Sequence, residues 1–169
     1  MAAERVYDYE HVRAEILQGK KVKSPRPLVL ELEPGIRLDL NRFSHQQLKA
    51  KFESSIATLD VSLPTSEGGP ALHKGTIAAG EMLFADGSLD EMRLQVDNEI
   101  RAGDQEDSGF AQACRLSNVP WCIFRGVSDY GTPEKDKTWH FSAAFAAAAA
   151  GYSFLTDAYT PSTARFVSD

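Results

Sequence analysis

Apolar and polar positions follow two different periods along this chain, and the switches between them outline its elements. Arg5-Val-Tyr-Asp-Tyr9 reads as a strand. Residues 20–27 are basic and punctuated by proline, which suits a loop or an edge segment. From Ser44 onward, Leu48, Phe52, Ile56 and Leu59 recur at spacings of four, four and three, the stripe of an amphipathic helix. Residues 63–70 hold two prolines and two glycines and read as a loop. Lys74-Gly-Thr-Ile-Ala-Ala-Gly80 is a strand bracketed by glycines. Ser88-Leu-Asp-Glu91 has the form of a capping box, opening a short helix that carries Met92 and Val96. A helix is predicted over 110–116, a strand over 121–127, and an alanine-rich helix over 142–156. The run Trp121-Cys-Ile-Phe124 is continuously apolar, as in a strand buried on both faces. Alanine in the last helix permits close approach to a sheet. This order predicts an α/β chain with a central sheet covered by helices and about four or five strands.

Composition narrows the function classes. The 169 residues fit one domain, 1–169, and 43% hydrophobic with 25% charged residues is ordinary for a globular protein. A net charge of -6 argues against a nucleic-acid surface, which needs a basic stripe. Cys114 and Cys122 lie in apolar segments without metal-ligand spacing and read as buried, reduced thiols of a cytoplasmic protein. Neither the start nor the alanine-rich stretch has the apolar length of a signal peptide or a membrane span.

The candidate chemistry lies in two acids. Glu106 stands just ahead of a helix in Asp104-Gln-Glu-Asp-Ser-Gly-Phe-Ala111. Asp129 ends the apolar strand in Arg125-Gly-Val-Ser-Asp129, and the carboxyl end of a strand is where α/β sheets collect ligands. Two acids brought to one cleft suit a site that binds a polyol and moves a proton. Plainer roles stand beside these. Asp129 could cap the next element or pair with Arg125, and Glu106 could simply favour the helix dipole. His11, His45, His73 and His140 share no spacing and read as surface or structural. Tyr7 and Tyr9 read as strand packing, and Lys20-Lys-Val-Lys23 as a solvated basic patch.

Four stretches, in order, carry a family resemblance. Val6-Tyr-Asp-Tyr-Glu10 is similar to a Val-Asp-Tyr strand segment. Gly75-Thr-Ile-Ala-Ala-Gly-Glu-Met-Leu-Phe84 is similar to a Gly-x-Ile-Ala-Ser-Gly-Asp strand and purine-pocket turn. Asp104-Gln-Glu-Asp-Ser-Gly-Phe-Ala111 falls on a Glu-Met-Glu-x-x-Ala motif, and Arg125-Gly-Val-Ser-Asp129 on Arg-x-Ile-Ser-Asp. Together they resemble the purine nucleoside phosphorylase and nucleosidase superfamily, in particular its methylthioadenosine/S-adenosylhomocysteine nucleosidase branch.

That resemblance implies a three-layer fold with a mixed sheet flanked by helices. It implies cleavage of the N-glycosidic bond of a purine nucleoside, without a cofactor or metal, in a homo-oligomer. Asp129 would protonate or hydrogen-bond N7 of the base, oriented by Ser128. Glu106 would accept hydrogen bonds from the ribose hydroxyls, flanked by Gln105 where the family has methionine. Leu83 and Phe84 fall where the family stacks the purine, and Phe141 near the pocket for the 5′ substituent. Val6 aligns with the middle of the family fold. The family's amino-terminal third, with its water-activating glutamate or phosphate cradle, is therefore expected to have no counterpart here. A non-catalytic nucleoside-binding or assembly domain, or a fragment of a larger enzyme, is the alternative.

Overall fold

The computed structural model describes residues 1–17, 19–81, 86–133 and 137–161. Among the described residues the order is β1 (Ala2–Asp8), β2 (Val12–Leu17), β3 (Lys20–Pro25), β4 (Leu28–Glu31), α1 (Pro34–Arg42), α2 (His45–Leu59), β5 (Lys74–Ala79), α3 (Ser88–Gln95), β6 (Ile100–Asp104), α4 (Asp107–Leu116) and α5 (His140–Ser153). The main sheet has the order β4-β1-β5-β6. β4 runs antiparallel to β1, whereas β1, β5 and β6 run parallel, so the sheet is mixed. Alternate residues of β1 reach opposite faces. Asp8 meets Ser108 of α4 on one side, and Arg5 meets Asp97, beyond α3, on the other.

Ile77, Val6 and Ile100 are fully buried in the sheet, and Leu40, Phe43 and Phe154 in the helical layer against it. The aromatic centre is a chain of edge contacts: Phe43 with Phe154 at 5.8 Å and with Phe124 at 6.0 Å, and Phe52 with Phe145 at 5.4 Å. The last of these seats α2 on α5. No described helix is long and apolar enough to cross a membrane.

The amphipathic helix begins where its stripe predicts. Ser44 Oγ accepts from the Gln47 amide at 3.2 Å, and Gln47 Oε1 accepts from the Ser44 amide at 2.8 Å, a reciprocal cap. Leu48 and Phe52 are buried, whereas Leu59 at the frayed end of the stripe is exposed.

Several expectations change. The capping box at Ser88 does not form. Gly87 occupies the cap position, and Asp86 Oδ1 instead accepts from the Ser88 amide at 3.0 Å. Residues 20–25 are a strand, paired with 12–17 in a two-stranded hairpin of its own. Lysines and a proline are tolerated there because both strands are edges. Helix α1, absent from the expected elements, is held by Ile36 and Leu40, four apart and buried, with Pro34 in its first turn.

Residues 121–127 do not form the expected strand, and only Phe124 makes a ladder contact, to Ala2. The Ala3 amide donates to Ile123 O at 3.0 Å and the Arg125 amide to Met1 O at 2.8 Å. The reason is competition for one strand edge. β4 occupies that edge of β1 from Arg5 to Asp8 and leaves only its first residues for this segment. Beyond Arg125 the chain instead presses on α5. A Cβ placed on Gly126 would collide with the backbone carbonyl of Ala143.

Candidate functional site

The parallel register aligns three strand ends. Asp8 lies opposite Ala79, and Ala79 opposite Asp104. The strand ends and the chain leaving them contribute to one cleft of about 550 Å³: Asp8 at the end of β1 and His11 after it, Gly80 and Glu81 after β5, Gln105 and Glu106 after β6. A cleft outside the carboxyl ends of parallel strands is the usual ligand position in such sheets.

Asp104 fixes the turn from β6 into α4. Its Oδ2 accepts from the amides of Glu106 at 2.8 Å and Asp107 at 2.9 Å, which satisfies donors at the helix start. Gln105 Nε2 donates to Glu81 O at 2.8 Å and so ties the β6 end to the β5 end. With its backbone held this way, Glu106 projects a side chain that is 72% exposed.

Asp8 is fixed from the other side. Its Oδ2 accepts from Ser108 Oγ in the first turn of α4 and from Gln112 Nε2 at 3.3 Å. Its Oδ1 accepts from the Glu10 amide at 3.1 Å. The His11 ring nitrogen Nε2 lies 3.4 Å from Asp8 Oδ2.

Behind Glu106 stands Arg125. Its guanidinium donates to Asp107 Oδ1 at 2.6 Å, to Asp104 Oδ2 at 2.9 Å and to Glu106 Oε2 at 3.4 Å. The three acids keep Arg125 charged and push its pKa up, although its partial burial opposes them. Asp107 is 3% exposed, and its second oxygen, Oδ2, is buried without a partner. Burial pushes the Asp107 carboxyl up to about 6, with the Asp104 charge acting in the same direction and the Arg125 hydrogen bond opposing both.

Asp129 lies four residues beyond Arg125. Its Oδ2 accepts from Ser128 Oγ at 3.1 Å and its Oδ1 from the Gly131 amide at 2.9 Å. Those contacts hold the carboxylate in a turn. The acids paired with Arg125 come from the β6–α4 turn, so the alternative pairing of Asp129 with Arg125 is not the one formed. Ser128 lines a second cleft of about 450 Å³ together with Arg125, Gly126, His140 and Ala143.

The structure therefore brings Gln105 and Glu106 together in one cleft and places Ser128, with Asp129 bonded to it, at a neighbouring one. Arg125 joins the two by lining the second while bonding Glu106 of the first. Phe141, in the first turn of α5, is 79% exposed and lines neither. Leu83 and Phe84 lie outside the described residues. Among the described residues no group of three or more His, Cys, Asp or Glu side chains could hold a metal ion. Burial pushes the Cys122 thiol up to about 12, which leaves it inert.

Sequence reasoning did not single out Asp8, His11 or Asp107. The signal for Asp8 was an acid at the end of an apolar strand, in Val6-Tyr-Asp8. Asp107 carried no signal, because nothing local says that it is buried against an arginine 18 residues away.

Comparison with known proteins shows the family to which the chain belongs. The ATP nucleosidase Cap17 of Escherichia coli (strain KTE188) is 31% identical over 153 residues, which cover 86% of this chain and 30% of that protein. The chain thus spans less than a third of the length of the curated relative. Among solved structures, S-adenosylhomocysteine nucleosidase of Streptococcus pyogenes, in complex with 5-methylthiotubericidin, superposes with a TM-score of 0.56 at 17% identity. That alignment covers 94% of this chain and 60% of the other. Futalosine hydrolase of Helicobacter pylori superposes at 0.52 and 15% identity, over 91% and 59% of the two chains. At such identities these two likenesses show a shared fold. The family model of the phosphorylase superfamily matches residues 7–155, nearly the whole described chain, and this protein belongs to that superfamily.

Proposed function

We propose that this protein takes part in cleaving the N-glycosidic bond of a purine nucleoside or nucleotide, with Glu106 holding the sugar and Asp129 assisting departure of the base. One observation carries the reading. Glu106 is presented, by Asp104 and Gln105, at the meeting point of three parallel strand ends, and Arg125 links it to the Ser128–Asp129 turn. The relatives add support, since one is named an ATP nucleosidase and others nucleosidases of adenine-containing compounds.

The chemistry follows from the residues. Paired ribose hydroxyls donate to the two oxygens of Glu106, and a charged acceptor makes these bonds roughly twice as strong as neutral ones. Arg125, donating to one Glu106 oxygen, orients that group. Asp129, in its protonated form, gives a proton to N7 as the C1′–N9 bond lengthens. The bonding electrons then leave on a neutral base, and the ribosyl carbon gains oxocarbenium character. Ser128 Oγ holds Asp129 Oδ2 and fixes which oxygen is presented. Gln105 packs the sugar beside Glu106, and the resemblance assigns Leu83 and Phe84, outside the described residues, to the base. Oligomerisation belongs to the same reading. Ile16 of the separate hairpin and Phe141 are 78% and 79% exposed, surfaces that a second copy would cover.

Titration calorimetry with adenosine, methylthioadenosine and ATP, paired with an assay of released base, tests the proposal. Glu106→Gln is expected to weaken binding at least tenfold. Asp129→Asn is expected to leave binding within about threefold and to lower base release by about 10²-fold or more. Binding without release in the wild-type chain would favour the nucleoside-binding alternative. Absence of binding to all three would sink the proposal.

A further inference from the structure

We propose that His11, anchored by Asp8, is the general base that activates the attacking water in the cleft of Glu106. The inference rests on the cleavage reading above and supplies the group which that reading leaves unassigned. Within the cleft that holds Glu106, the described lining residues include one imidazole, His11, among carboxylates and amides. Its placement has a structural cause. β1 ends at Asp8, and the chain turns at Tyr9 and Glu10 before the hairpin begins at Val12, so the ring returns over the strand end it has just left.

Asp8 is built as an anchor. It is 7% exposed, and its oxygens are engaged by Ser108 Oγ, Gln112 Nε2 and the Glu10 amide. These donors come from β1's own turn and from α4, the helix that begins just after Glu106. The same contacts that hold Asp8 therefore fix the distance between the β1 end and the Glu106 turn. With His11 Nε2 3.4 Å from Asp8 Oδ2, the carboxylate favours the tautomer protonated on Nε2 and orients the ring. The lone pair then resides on Nδ1. The His11 side chain is 52% exposed.

The step balances. A water O–H proton passes to His11 Nδ1 while its oxygen bonds to C1′. The C1′–N9 bond breaks, its electrons go to the base, and N7 takes the Asp129 proton. Afterwards the His11 proton returns to solvent and Asp129 is reprotonated, so the sum is water plus nucleoside giving free sugar and base. The pattern of a base oriented by a buried carboxylate is general to hydrolytic sites.

The test measures base release from adenosine and ATP by wild type, His11→Ala and Asp8→Asn, with and without added imidazole, alongside calorimetric binding. The expected result is a loss of about 10²-fold in His11→Ala with binding within about threefold, restored at least fivefold by imidazole, and a smaller loss in Asp8→Asn. Release by His11→Ala within twofold of wild type overturns the inference while leaving the cleavage reading intact. A loss that imidazole does not restore also overturns it, since it assigns His11 to structure. Wild type that binds nucleoside without releasing base, or binds none, removes the cleavage reading and this inference with it.

Discussion

The sharpest prediction concerns Asp107, which lies beneath the candidate site. Its carboxylate is 3% exposed, bonds Arg125 through one oxygen and leaves the other buried without a partner. Burial raises its pKa from 3.8 to about 6, against the pull of Arg125. The sign of the linkage follows. A carboxyl whose folded pKa lies above its unfolded one favours the fold when protonated, so its contribution is full below 3.8 and is lost as pH rises through about 6. Each unit is worth about 1.4 kcal/mol, so the whole span is about 3 kcal/mol, of which about 2 kcal/mol falls between roughly pH 7.5 and pH 4.5. Asp107→Asn removes the titration while keeping an oxygen for Arg125. Costs of the amide that do not depend on pH cancel when the two proteins are compared across pH, as do the other carboxylates they share. Urea unfolding of wild type and Asp107→Asn at several pH values reads the difference. Wild type should gain about 2 kcal/mol on the variant over that acid shift. A gap constant within about 0.5 kcal/mol, or one that moves toward the variant, would refute the claim that Asp107 is a strained buried charge.

Two further outcomes test the fold that carries the site. Gly126→Ala sets a methyl group against the Ala143 carbonyl, so segment 121–127 must lift from α5. An overpacking cost of about 1–3 kcal/mol should appear as a melting temperature lower by roughly 5 °C, and a melt within 1 °C of wild type would contradict that contact. Ser44→Ala removes the reciprocal cap of α2 and should cost about 1 kcal/mol in urea unfolding, with no change in nucleoside binding.

Much of this molecule could be read from local pattern. The stripe of α2, the glycine-bracketed β5 and the alanine helix α5 are decided by side-chain period and backbone preference, and these act over a few residues. The order of motifs was likewise enough to indicate the superfamily, because Glu106 and Asp129 sit in short segments whose residue types and spacing repeat a known set. Failures came where a non-local partner decides. The Ser88 box, a local exception, lost to Asp86, two residues before the motif, while Gly87 took the cap. The apolar run at 121–127 has the composition of a buried strand, yet the extent of its ladder depends on which part of β1's edge β4 leaves open.

The site divides along the same line. Sequence alone chose the candidate residues Gln105, Glu106, Ser128 and Asp129, since their types and neighbours carry the signal. Only the tertiary structure decided that Arg125 serves three acids of the β6–α4 turn, that Asp107 is buried against it, and that Asp8 holds His11 over the cleft of Glu106. The contacts that hold Asp8 in place join residues up to 104 positions apart. They arise from the parallel register of β1, β5 and β6, and no local pattern encodes which strand ends will meet.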